Sequence, residues 1–322
     1  MASDEIALNA APWFIIYKDR RIDRLIGNDI DPPGLDPKTG VESKDVVISQ
    51  EDSVAVRIYR PKSAAGAGKG DQKLPLLVYF HGGGFCIETA FSPFYHQHLN
   101  PWVAQANIVA VSVNYRRAPE HQLPIPFEDS WTALKWIAAH SNGTGPDEWL
   151  NEIADLNQVY LAGDSAGGNI AHRMTLRMAT EGLAGVKIKG LQLIHPHFWG
   201  GKLIGEEKEW DPKSIYVVEN LWYWVSKDIK DLDDPIVNPE HEPDLGRLAA
   251  EKVAIYVAEK DNLKERGRHY AECLRKSGWG GTVDVVETDG EGHVFHLFNP
   301  TCDSAADLVG QLAAFISGKC GC

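Results

Sequence analysis

LNQVYLAGDSAGGNIAHR, residues 156–173, runs from a short apolar stretch through a glycine-bracketed serine into a segment of helical composition. Val159 to Ala162 is short enough for a buried strand, and Gly163-Asp164-Ser165-Ala166-Gly167 follows at once. A strand that stops abruptly and reverses into a helix strains the backbone at its apex and brings strand and helix close together. Residues two before and two after the apex must then lack bulk, and Gly163 and Gly167 meet that need. Such a turn lifts the Ser165 hydroxyl above the end of a sheet and aims backbone N–H groups at whatever it attacks. Taken alone, the pattern also fits a chance turn in a chain with 30 glycines among 322 residues, so the surroundings must decide.

Those surroundings alternate between strands and helices. Val46 to Ile48, Val54 to Tyr59, Leu76 to Phe80, Ile108 to Val113, Ile188 to Ile194, Val253 to Ala258 and Val283 to Glu287 read as further strands. Glu128 to His140 carries apolar residues at helical spacing, and helices are expected after Ser165, near Leu263 to Lys276 and at Ser304 to Ile316. This alternation predicts an α/β fold, a mostly parallel sheet covered on both faces, whose sites lie beyond the carboxyl ends of the strands. Residues 1–45 read instead as an arm that docks its Trp13 to Tyr17 cluster on the rest of the chain. Pro61 to Lys73 reads as a mobile loop. Residues 198–239, with Trp199, Trp210, Trp222, Tyr223 and Trp224 among charges and prolines, break the alternation. They read as a cap that, with the arm, walls an apolar pocket within a single domain.

A serine hydroxyl is a weak nucleophile until a base takes its proton and a carboxylate orients that base. Of twelve histidines, His293 stands in a glycine-rich loop between the last strand and the last helix, which carries it over the end of the sheet. His296 competes, though it fits better as a pocket residue. Asp261 follows the strand Val253 to Ala258 and can reach a histidine in the loop after the next strand; Asp289 and Asp234 are weaker candidates. The order Ser165, Asp261, His293 is that of the α/β-hydrolase template. Donors for an oxyanion come from His81-Gly82-Gly83-Gly84-Phe85, directly after another strand. Its glycines let N–H groups approach a substrate oxygen, so Gly83 and Gly84 join Ala166 in a three-donor hole. Phe85, Phe198, Trp199, Trp222 and His296 are the expected pocket wall.

Composition narrows the partners. A formal net charge of −13 disfavours nucleic acid and anionic membrane, and no run approaches the roughly 20 apolar residues of a membrane span. The acidic start MASDEIALNAAPWF has no basic region ahead of an apolar run, so it does not read as a signal peptide. Five scattered cysteines read as reduced thiols of a cytoplasmic protein, including the terminal pair Cys320 and Cys322.

The chain resembles the plant carboxylesterases, which belong with the hormone-sensitive-lipase-like esterases of the α/β-hydrolase fold. The resemblance covers nearly the whole chain. It rests on HGGGF from His81, YRRAPE from Tyr115, GDSAGGN from Gly163, Glu259-Lys260-Asp261 and Gly292-His293-Val294-Phe295. It implies Ser165, Asp261 and His293 as a catalytic triad, Gly83, Gly84 and Ala166 as the oxyanion hole, and the arm as part of a lid. The expected activity is that of a cofactor-independent serine hydrolase acting through an acyl-enzyme on small to medium esters, apolar or aromatic and glycosyl ones, and a monomer or homodimer is expected. The same family holds a gibberellin receptor, 2-hydroxyisoflavanone dehydratases and tuliposide-converting transesterases, so binding, elimination and internal acyl transfer are the rival expectations. The receptor branch lacks the histidine found here as His293, and the dehydratases carry threonine where this chain has Ser165. Both departures favour hydrolysis.

Overall fold

In the computed structural model, which describes residues 4–64 and 72–318, the strand Leu74–Phe80 is buried on both sides. Leu76, Val78 and Phe80 face one hydrophobic core, and Leu77 and Tyr79 face a second. A strand buried twice reads as an unbroken apolar run, which is why LPLLVYF shows no polar alternation.

The chain opens with three short strands, β1 (Ile6–Ala10), β2 (Phe14–Tyr17) and β3 (Ile22–Arg24), that form an antiparallel sheet of their own. A hairpin follows, β4 (Glu42–Ser49) and β5 (Val54–Arg60). Then come β6 (Leu74–Phe80), α1 (Pro93–Ala106), β7 (Val109–Asn114), α2 (Ile125–Ala138), α3 (Glu148–Ile153), β8 (Ala154–Asp164) and α4 (Ala166–Thr180). The remainder is β9 (Ile188–Ile194), α5 (Pro212–Val225), β10 (Lys252–Ala258), α6 (Lys264–Lys276), β11 (Thr282–Thr288), α7 (Phe295–Phe298) and α8 (Asp303–Ser317).

Eight strands make the main sheet in the order β11-β10-β9-β8-β6-β7-β5-β4. Neighbours from β11 to β7 are parallel; β5 pairs antiparallel with β7, and β4 with β5. The mostly parallel α/β-hydrolase architecture expected from the sequence is therefore present. Residues of α2, α4 and α6 pack into one core and those of α1 and α8 into the other. The chain leaves β6 for β7 on one side and returns to β8 on the other, so the strand order reverses around β6. Crevices open at such reversals, beyond the carboxyl ends of the strands.

Two regions differ from the sequence reading. The arm forms β1 to β3, whose Leu8, Ala10, Phe14 and Ile16 join the larger core. Helix α1 was not foreseen, because Pro101 and a polar, histidine-rich surface interrupt its apolar periodicity. Residues 65–71 of the expected mobile loop, and Cys320 and Cys322, lie outside the described residues. No described helix is long and apolar enough to cross a membrane.

Candidate active site

Ser165 stands between β8 and α4 with φ 49° and ψ −119°, a conformation that costs any residue bearing a side chain on the order of 1–3 kcal/mol. Its neighbours impose it. The Ser165 amide donates to Ile194 O of the adjacent strand at 2.9 Å, and its carbonyl accepts from His197 N at 2.9 Å and Gly168 N at 3.0 Å. A Cβ on Gly167 would land within the carbonyl oxygen of Phe80, and one on Gly163 against the backbone of Gly167. Both flanking positions therefore exclude side chains, as the sequence pattern requires.

His293 hangs in the loop between β11 and α7. Its Nδ1 lies 3.0 Å from Asp261 Oδ2 and its Nε2 lies 3.0 Å from Ser165 Oγ. A carboxylate accepts only, so the proton sits on Nδ1 and Nε2 is free to take the serine proton. Asp261 Oδ1 is held by the Leu263 amide at 2.8 Å, and its side chain is buried. Burial works against its charge, but His293, His195 and the Leu263 amide together hold the carboxyl below its usual range.

The loops carrying the two residues are strapped to each other. Glu259 N donates to Thr288 O at 3.0 Å, Lys260 N to Glu291 O at 2.8 Å, and the Glu259 carboxylate accepts the Gly290 amide at 2.6 Å. Lys260 Nζ adds a bond to Gly290 O at 2.7 Å. Glu259 and Lys260 thus fix the spacing between Asp261 and His293.

The glycine loop after β6 is anchored from below. Asp164 accepts from Tyr79 Oη at 2.8 Å, from Tyr95 Oη at 3.0 Å and from the Gly82 amide at 3.0 Å. Tyr115 Oη donates to His81 O at 2.7 Å, and its ring stacks on the His81 imidazole at 4.1 Å. Burial pushes the Asp164 carboxyl up to about 6, with the two tyrosine donors opposing that rise. His81 is held neutral by burial, its pKa lowered to about 3. Gly83 and Gly84 then turn through φ 91° and 60°. Among the described residues the amides of Gly83, Gly84 and Ala166 take no protein acceptor, which leaves three N–H donors open beside Ser165.

Ser165, Asp261, His293, Gly83 and Gly84 all line one cavity of about 520 Å³. Much of its apolar wall comes from the arm (Ala10, Trp13, Phe14, Ile26), from Phe94 of α1, from α5 (Val217, Val218, Leu221) and from Leu297 and Phe298 of α7. The five expected pocket residues are not on it. Phe85, Phe198, Trp199, Trp222 and His296 are all fully buried one layer back. Phe85 packs on Trp222, Phe198 on Tyr270, Trp199 on Trp210 and His296 on His98. Large aromatics beside a site gain more from complete burial in the core than from a partly wetted wall.

His195 had no sequence signal. It follows β9 with φ 47°, is buried, and its Nδ1 accepts the amide of Val294 at 3.0 Å. Val294, next to His293, also has φ 47°. A nitrogen of His195 lies within 4.8 Å of ligand atoms of Asp261 and His293, the one group among the described residues with metal-ligand spacing. Asp261 and His293 already bond each other there.

A family model described by its α/β hydrolase fold matches residues 77–297. A protein named probable carboxylesterase 13, from Arabidopsis thaliana, is 48% identical over 98% of each chain. The 2-hydroxyisoflavanone dehydratase of Glycyrrhiza echinata is 40% identical over 98% of this chain and 97% of its own. Among solved structures, a hyperthermophilic esterase from the archaeon Pyrobaculum calidifontis superposes with a TM-score of 0.69 at 28% identity, covering 86% of this chain and 85% of its own.

Proposed function

The chain belongs to the plant carboxylesterase family of α/β hydrolases and is a carboxylic ester hydrolase acting on small-molecule esters; from that premise we propose that Ser165 is its nucleophile, within a single domain that the arm and residues 198–239 cover as a lid. Ser165 Oγ attacks the ester carbonyl while His293 Nε2 takes its proton, and Asp261 holds the imidazole in register and balances its charge. The carbonyl oxygen, now negative, turns into the amides of Gly83, Gly84 and Ala166, each worth roughly 2.7–4 kcal/mol to the transition state. His293 returns the proton to the departing alkoxide. Water, activated by the same imidazole, then releases the acid.

The observation that carries this reading is the unbroken series from Ser165 Oγ to His293 Nε2, through the ring to His293 Nδ1, and on to Asp261 Oδ2, with both hydrogen bonds 3.0 Å, set on a strained apex inside a cavity. Ser165→Ala should abolish hydrolysis of p-nitrophenyl butyrate with an unchanged far-UV spectrum and melting temperature. Retained activity in that variant would overturn the assignment. Elimination or internal acyl transfer is the second reading, supported by the likeness to the dehydratase and to a tuliposide A-converting enzyme of Tulipa gesneriana. Turnover in ¹⁸O-labelled water separates them, since only hydrolysis places the label in the acid. The free thiols of Cys86, Cys273 and Cys302 support placing the chain in a reducing compartment such as the cytoplasm.

A further inference from the structure

Of the aromatic side chains that line the cavity, three come together from separate elements. Trp13 comes from the turn between β1 and β2, Phe94 from the first turn of α1 and Phe298 from the end of α7. The rings of Trp13 and Phe298 have centroids 5.4 Å apart, and Phe94 meets Phe298 edge-on at 5.4 Å with 76° between planes. Unlike the aromatics buried behind the site, Trp13 and Phe298 keep 39% and 47% of their surface exposed. Ring surface left open in this way is surface that a bound molecule can cover.

Chain connectivity decides which half of an ester meets these rings. The nitrogen that removes the Ser165 proton must hand it to the leaving oxygen, so that oxygen has to lie within hydrogen-bond reach of His293 Nε2. Leu297 and Phe298 follow His293 by four and five residues and line the same cavity, so the group attached to the leaving oxygen starts out beside α7. The acyl carbon has a different neighbour. Its oxygen points to Gly83 and Gly84, and Leu221 of α5 stands so near that a Cβ on Gly84 would be 3.2 Å from its Cδ2. Val217 and Val218 of α5 also line the cavity, and one edge of the Phe14 ring stands 4.0 Å from the same point, so the α5 side of the wall is mostly aliphatic.

Resting on the acyl-transfer reading above, we infer that Trp13, Phe94 and Phe298 form an alcohol-side subsite that selects esters of aromatic alcohols, while α5 receives the acyl chain. Ring–ring contact beyond simple burial corresponds to about a two- to tenfold gain in kcat/KM.

The test holds the acyl group and the bulk constant and changes only the ring, by comparing benzyl acetate with cyclohexylmethyl acetate on the full chain. The wild-type chain is expected to prefer the benzyl ester about fivefold, mostly through KM. In Phe298→Leu and Trp13→Leu, which keep an apolar side chain without a ring, the ratio should fall to within about twofold of unity. An equal ratio in the wild type, an unchanged ratio in both variants, or a shifted acyl chain-length profile in Phe298→Leu would overturn the subsite. A fluorophosphonate probe keeps the two levels apart. Failure to label Ser165 in the wild type refutes the acyl-transfer reading, whereas labelling with an unchanged benzyl preference refutes the aromatic subsite alone.

Discussion

His293 is pulled in two directions. Burial disfavours the imidazolium, yet the charge and hydrogen bond of Asp261, with a smaller contribution from Asp164, outweigh it and raise the pKa. Only the neutral ring can take the Ser165 proton. Activity should therefore fall as the pH drops through a midpoint above the ordinary histidine value of about 6.5. Asp261→Asn removes the charge that favours the imidazolium, so the midpoint should move to lower pH while kcat falls on the order of 10³–10⁴-fold. A pH–rate profile of both proteins reads the two effects together, and a midpoint that stays put in Asp261→Asn would show that Asp261 does not set it. The acceptor that His195 offers to Val294 makes a finer prediction. His195→Leu removes it, and kcat should fall roughly tenfold as Val294 loses a buried partner worth about 1–3 kcal/mol. His195→Asn, whose Oδ1 can occupy the place of Nδ1, should restore most of it; equal losses in both variants would count against the backbone bond. Ser165, Asp261 and His293 were legible in the sequence because each sits in the loop that ends a recognisable strand. His195 was not, because its partner is a main-chain amide that leaves no pattern among side chains.

At the scale of elements, the arm and residues 198–239 are each tied to the main body by an ionic contact. Arg24 of β3 donates to Cys86 O at 2.7 Å and to both carboxylate oxygens of Glu120, at 2.8 and 2.7 Å, which ties the arm sheet to the end of the glycine loop. Residues beyond β9 are held by a deeper pair. Arg266 of α6 forms two 2.6 Å bonds with Glu207, both side chains almost completely buried, and its guanidinium lies 4.7 Å from the Trp199 ring centroid. Breaking a buried pair on one side strands a charge, so Arg266→Met should cost about 3–5 kcal/mol of stability. Removing both charges, with Arg266→Met and Glu207→Leu together, should recover most of that loss. Urea unfolding of the single and double variants measures it, and additive losses would mean that the pair is not coupled. The strands of the main sheet could be read in advance because burial on both faces writes them as apolar runs. The strands of the arm could not: β1 to β3 are three to five residues long, too short for their alternation to register. Nor could facing be read for Phe85, Phe198, Trp199 and Trp222, since an aromatic residue near a site has the same letter whether it looks into the cavity or into the core.

At the scale of the whole molecule, the reversal of strand order around β6 brings the glycine loop and the Ser165 turn to one edge, although they lie some 80 residues apart in sequence. The other large-scale property is charge. A formal net charge of −13 on 322 residues sets up a negative field that any substrate must cross before meeting the cavity. A neutral ester does not sense it. An anionic ester is repelled, and added salt screens that repulsion, because the Debye length shortens from about 30 Å at 0.01 M to about 8 Å at 0.15 M. Ethyl butyrate and monoethyl succinate are similar in size but differ by one carboxylate. Over that range of ionic strength kcat/KM for monoethyl succinate should rise severalfold while that for ethyl butyrate stays level. Parallel behaviour of the two esters would mean that charges near the cavity mouth cancel the field of the whole chain, and that its acidity plays no part in choosing substrates.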